Sequence, residues 1–146
     1  MLNCHWATID NMSKSKVFSL PVRVYFQDTD AGGVVYHANY LNFMERARTE
    51  WLRAHGYSNT GLMKDFGMVF VVRSMKLDYL KPALLDDLLD VTAQVKDIGR
   101  SRLALLQTIL RRDEVLTEAE VHLVCVSLAS FKPASVPEIL RMQLEK

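Results

Sequence analysis

The chain is poor in several things that small functional modules commonly rely on. Of its 146 residues only two are cysteine, Cys4 and Cys125. So sparse a pair builds no disulfide framework and points to a reducing compartment. Cys125 sits inside the apolar run VHLVCVSLA and reads as a small core residue, not a nucleophile. The formal net charge is only +1, which leaves no electrostatic footprint for nucleic acid. No apolar run approaches the roughly 18 residues of a membrane span. Residues 1–16, MLNCHWATIDNMSKSK, lack the basic-then-apolar order of a signal peptide. The four histidines, at 5, 37, 55 and 122, show no HxxxH spacing, so no metal site is expected. There is no phosphate loop, no dinucleotide fingerprint and no GxSxG. The absences together predict a cytoplasmic protein that uses neither metal nor cofactor.

What is present is a well-stocked core. Apolar residues make up 49% of the chain and charged residues 24%, a composition of one folded domain. A flexible leader is expected over 1–16 and a single domain over 17–146. Met12, just before the polar SKSK, reads as an alternative start.

PVRVYFQ (21–27) has the β-branched and aromatic content of a strand. From 38 to 55, ANYLNFMERARTEWLRAH, the period turns helical. Leu41, Met44, Ala47, Arg48, Trp51 and Leu52 recur at i, i+3 and i+4, and Gly56 suits the C-terminal cap. Then the pattern reverts to strands, over 67–80, 88–98, 101–112 and 115–131. In LLDVTAQVKDI, Leu89, Val91, Ala93 and Val95 alternate with Asp90, Thr92, Gln94 and Lys96, a half-exposed strand. The tail PASVPEILRMQLEK reads as a short helix. One strand, one long helix and four further strands make an α+β fold, with an antiparallel sheet wrapped around the helix. A small sheet of this kind has free edges, and pairing two of them in a symmetric homodimer would cover them.

The chemistry-bearing stretch is DTDAGGVVYHANY (28–40). Asp28 and Asp30 share a face if the backbone is extended. Gly32 and Gly33 let backbone approach a ligand, and the helix that follows offers unpaired N–H groups. A carboxylate beside such donors meets two needs of acyl-transfer hydrolysis. The competing reading is an ordinary polar turn. His37 is either a general acid or base, a group that orients a carbonyl, or a helix-start residue bonded to backbone. Tyr36 and Tyr40 read as packing residues. Glu45 is a rival catalytic carboxylate. Elsewhere, GRSR (99–102) brings Arg100, Ser101 and Arg102 together, either as a phosphate contact or as a solvated hairpin tip.

The stretch VRVYFQDTDAGGVVYHANYLNFMERARTEWLR (22–53) resembles the hydroxybenzoyl-CoA thioesterase family of hot-dog proteins. It is most similar to the YbgC subgroup, acyl-CoA thioesterases associated with the Tol-Pal system. The likeness continues through 70–91 and 118–126. It implies a hot-dog fold, a homodimer or homotetramer with sites between subunits, and an acyl-CoA substrate, with acyl carrier protein as another carrier. The family's catalytic aspartate falls on Asp30. The oxyanion donor falls at the helix start around His37, within a substrate loop that includes Gly33, Val34 and Tyr36. The family's hydroxybenzoyl enzymes have tyrosine where this chain has His37, which argues against an aromatic hydroxybenzoyl substrate. Asp28 becomes a supporting residue, and Arg100, Ser101 and Arg102 become contacts for the CoA phosphates. Two alternatives stand beside hydrolysis: an acyl-thioester-binding scaffold, and a hydratase or dehydratase of the same fold.

Overall fold

The computed structural model describes residues 16–146. The leader expected over 1–16, with Cys4 and Met12, lies outside the described residues apart from Lys16.

Five antiparallel strands form one sheet in the order β1-β3-β4-β5-β2. They are β1 (Phe18–Arg23), β2 (Met68–Tyr79), β3 (Leu88–Ile98), β4 (Arg102–Arg111) and β5 (Glu114–Ser127). The sheet curves around α1 (Asn39–Ala54). Two short helices complete it, α2 (Asn59–Phe66) and α3 (Glu138–Leu144). The α+β arrangement and the order of the five strands and the long helix are those expected from the sequence.

The long helix forms because its apolar residues recur at helical spacing and face the sheet. Tyr40, Phe43, Met44, Ala47, Trp51 and Leu52 are buried. Each large apolar side chain removed from water contributes roughly 2 kcal/mol. Met44, Ala47, Trp51 and Leu52 are buried as read in the sequence, and the stripe differs at its start. Leu41, expected inside, is 38% exposed, while Tyr40 and Phe43 are buried. The sheet covers the Tyr40 side and leaves the Leu41 side at its open flank. Gly56, with φ 90°, ends the helix as expected.

β1 is shifted too. It covers 18–23, not 21–27, because Phe26–Asp28 turns into a 3-10 helix. The Asp28 carboxylate accepts from the Tyr25 N–H and draws the chain out of the sheet. Pro21 is tolerated because β1 pairs only with β3, so the missing N–H falls on an edge. β3 has the predicted bounds and the predicted inner face of Leu89, Val91, Ala93 and Val95. Gln94, expected on the exposed face, is buried.

α2 is absent from the sequence reading. Its signals were there: Ser58 caps it, accepting from the Gly61 N–H, and Gly67 closes it in the left-handed region. α3 confirms the helical tail. Leu140 and Leu144 dock it, and Arg141 donates to the Gly99 carbonyl at 2.7 Å.

Cys125 is buried and unpaired, with burial raising its thiol pKa, as fits a core residue. Among the described residues no helix is long and apolar enough to cross a membrane.

Candidate active site

The stretch from Asp28 to Tyr36 folds into a miniature hairpin. The Asp30 N–H donates to the Val34 carbonyl, the Tyr36 N–H to the Asp28 carbonyl, and Thr29 bridges Val35. Gly33 occupies the tip at φ 82°, a conformation that side-chain-bearing residues rarely adopt. Gly32 matters differently. Its N–H donates to Asp30 Oδ1 at 2.8 Å, and a Cβ there would stand 3.2 Å from that oxygen.

The two aspartates have separate environments. Asp28 is buried, and both its oxygens are engaged: Oδ2 by the Tyr25 N–H and Oδ1 by Asn39 Nδ2, each at 2.8 Å. It ties the hairpin to the first residue of α1. Asp30 is exposed; one oxygen is fixed by Gly32, while the other has no acceptor–donor contact with the protein among the described residues. A carboxylate held by one oxygen and open at the other is arranged to accept a proton or attack carbon.

His37 stands at the foot of the hairpin, just before α1. Its carbonyl accepts from Tyr79 Oη at 2.6 Å, and its ring lies 4.6 Å from that of Tyr36. The imidazole makes no hydrogen bond to the described residues, so the backbone-bonded reading of its side chain does not hold. The backbone N–H groups of His37 and Ala38 donate to no acceptor among the described residues. They stand at the positive end of α1, where an oxyanion is favoured. Three hairpin rungs, about 10 Å of backbone, separate Asp30 near the tip from His37 at the foot.

Sequence reasoning missed the brace behind His37. Tyr40 and Tyr79 meet edge to face at 5.3 Å, and Tyr40 Oη accepts from the Ala83 N–H at 3.0 Å. Burial raises the pKa of both phenols, which keeps them neutral donors and acceptors. Val35, His37, Tyr40, Tyr79, Lys81 and Pro82 line a cavity of about 280 Å³ at this end of the helix. The 82–87 segment supports the hairpin directly: the Val35 N–H donates to the Ala83 carbonyl, and Val34 bridges Leu84. Arg111 locks that segment, donating to Asp87 Oδ2 at 2.7 Å and to the Pro82 carbonyl at 3.2 Å. Nothing local in the sequence links Arg111 or Tyr79 to residue 35; only the strand register does.

Gly33 and Val34 lie in the hairpin and Tyr36 at its foot, 49% exposed. Arg100, Ser101 and Arg102 lie elsewhere. β3 leaves the hairpin end at Leu88, paired with Arg23, and reaches the 99–101 turn at its other end. The turn is therefore roughly 30 Å of strand away from the Asp30 end. Arg100 Nε donates to Ser135 there, and the Ser101 carbonyl accepts from Cys125. A single chain does not bring this cluster to Asp30. Glu45 is also apart, two turns into α1 and exposed. No group of three or more potential metal ligands occurs among the described residues.

Residues 24–144 match the family model described as the thioesterase-like superfamily. The chain belongs to that superfamily. This thioesterase-like chain is 45% identical over 121 residues to the acyl-CoA thioesterase YbgC of Haemophilus influenzae, covering 83% of the chain and 89% of the relative. It is 33% identical over 128 residues to an acyl-CoA thioesterase YbgC of Helicobacter pylori, covering 82% and 93%. Its structure superposes on that of a probable thioesterase from Bartonella henselae with TM-score 0.80 and 37% identity, covering 84% of this chain and all of that one. The superfamily's hot-dog fold is the fold seen here, as the resemblance of the 22–53 stretch implied for family and fold.

Proposed function

We propose that this thioester hydrolase cleaves acyl-CoA to a free acid and CoA, with Asp30 as the reactive carboxylate. The observation that carries this is the divided state of Asp30: one oxygen is pinned by the Gly32 N–H, and the other makes no hydrogen bond to the described residues. The thioester oxygen rests on the free N–H groups at His37 and Ala38. Asp30 takes a proton from water as the water oxygen bonds to the carbonyl carbon, or attacks that carbon itself to give a mixed anhydride that water opens. The C–S bond breaks, and the departing thiolate is protonated. His37, its ring unengaged, orients the carbonyl or relays the proton.

A second copy of the chain completes the site in this reading. Among the described residues the outer edge of β2 is unpaired, and Val72 on it is 47% exposed. Pairing two such edges antiparallel about a two-fold axis sets the Met68 end of one beside the Tyr79 end of the other. Met68 pairs with Ser127 and Arg102 with Val124, so the 99–102 turn lies at the Met68 end. The partner's Arg100 and Arg102 then approach this chain's Asp30 end, within reach of CoA phosphates. The same surface suits a carrier protein's phosphopantetheine, and we place the reaction in the cytoplasm.

The test is thiol release from a panel of acyl-CoAs, followed by subunit mixing. Asp30→Asn and Arg100→Ala/Arg102→Ala chains, each weak alone, are expected to regain activity when mixed. Absence of thiol release from every acyl-CoA would sink the hydrolase assignment. Absence of recovery on mixing, with hydrolysis intact in the wild type, would sink only the shared site.

Gly32→Ala provides a finer check. Its Cβ would crowd Asp30 Oδ1 at 3.2 Å while φ stays in the allowed range. We expect kcat to fall about tenfold through displacement of the carboxylate, with a melting temperature close to that of the wild type.

A further inference from the structure

We infer that the cavity between α1 and β2 receives the distal part of the acyl group, and that Arg48 makes it selective for chains ending in a carboxylate. The inference rests on the acyl-CoA reading above.

The helix is off-centre in its sheet, packed more closely on β3 and β1 than on β2. A groove is left along the β2 flank. At one end Tyr79 of β2 meets His37, ahead of α1. Further along, Glu45, Arg48, Trp51, Asn59, Phe70 and Val72 are among the residues lining a second cavity of about 280 Å³. The two elements therefore run antiparallel, and the second cavity lies on the same flank of the helix, further along from the His37 end. Ten residues of helix separate Ala38 from Arg48, about 15 Å, within the reach of an acyl chain.

Arg48 is an unusual residue to find there. It lies on the sheet-facing stripe, beside buried Ala47 and Trp51 and opposite fully buried Gln107. Its Nη1 donates to Gln107 Oε1 at 2.9 Å. Gln107 is itself fixed, its amide nitrogen donating to the Met44 and Thr92 carbonyls at 3.1 Å each. Between the pairs Val91–Ile109 and Gln94–Leu106 the β3–β4 ladder is interrupted, and this side chain fills the gap. The seat of the guanidinium is thus rigid.

A guanidinium has five N–H donors, and among the described residues this one uses a single donor on a neutral acceptor. Burial lowers its pKa, while the charge of Glu45 raises it without a hydrogen bond between them. An alkyl terminus would leave those donors desolvated and unmet. A carboxylate terminus would take two of them in parallel. Trp51, Phe70 and Val72 supply apolar walls for the methylene stem, which a free inorganic anion lacks.

The test compares kcat/KM for acyl-CoAs of matched length ending in methyl or in carboxylate, using wild type, Arg48→Lys and Arg48→Met. At the length that reaches Arg48 the wild type should favour the carboxylate by about tenfold or more, the worth of one charge-assisted hydrogen bond. Arg48→Met should abolish or invert the ratio. Arg48→Lys should retain part of it, as a charge without the planar fork. A wild type that prefers methyl at every length overturns the inference, and so does a folded Arg48→Met chain with an unchanged ratio. If Arg48→Met fails to fold, calorimetric binding of the two ligands to Asp30→Asn decides, with equal affinities overturning it. The same binding comparison judges Arg48 even if the wild type hydrolyses nothing, so failure of the hydrolase reading remains distinguishable.

Discussion

Asp30→Asn is expected to lower kcat for acyl-CoA hydrolysis by about 100-fold or more, on the order of 3 kcal/mol of barrier. The substitution is nearly isosteric. Asparagine's amide oxygen can still accept from the Gly32 N–H, so the hairpin keeps the contact that fixes this side chain. What it loses is the second oxygen, which becomes an amide nitrogen unable to take a proton or attack carbon. The melting temperature should therefore stay near that of the wild type while thiol release collapses. Single turnover of the wild type in isotope-labelled water separates the two roles of Asp30. Label in its side chain means attack, and its consistent absence means general-base catalysis. An Asp30→Asn chain as active as the parent would move the chemistry elsewhere, with Glu45 the first carboxylate to examine.

Asp28→Ala should do the reverse, damaging stability as much as activity. Its carboxylate is buried and is the acceptor for the Tyr25 N–H and for Asn39 Nδ2. Removing it strands both donors in a half-buried setting, at a cost of about 3 kcal/mol. The denaturation midpoint should fall accordingly. The hairpin would also lose its tie to α1, and kcat should drop at least about tenfold as Asp30 and the His37 N–H fall out of alignment. Asn39→Ala removes one of the two contacts and should give a smaller version of both effects. An Asp28→Ala chain of parental stability would show that the hairpin is held by its backbone pairing alone.

The sequence carried the architecture because each of its signals is local. The period of 38–55, the alternation of 88–98 and the glycines at 33 and 56 depend on nothing distant, and the elements formed where they indicated. The errors have equally physical causes. Tyr25 and Phe26 have strand propensity, but Asp28, three residues on, captures the Tyr25 N–H and ends β1 early. Leu41 has the right spacing for the core, but the sheet covers the adjacent side of the helix. For the site, the sequence grouped Asp28, Asp30, Gly33 and His37, and the fold brings them together in one hairpin ahead of α1. The brace formed by Tyr79, Ala83 and Arg111 was not legible, because it joins residues distant in the chain: 42 and 43 positions for Tyr79–His37 and Ala83–Tyr40, 24 and 29 for Arg111 to Asp87 and Pro82. The placing of Arg100 and Arg102 at the far end of the sheet has the same origin.

The off-centre position of α1 gives the molecule two flanks of unequal tolerance. Toward β1 and β3 the helix is pressed onto Leu89, Val91 and Ala93, none of which is exposed to solvent at all. A change of volume on that flank has nowhere to go. Toward β2, Phe70 and Val72 border open space. Larger or smaller side chains can be exchanged there with little cost to folding. Variation between relatives of this chain, and any laboratory effort to retune what it accepts, should therefore accumulate at Phe70 and Val72, where the cavity gives room, and leave Leu89, Val91 and Ala93 almost untouched.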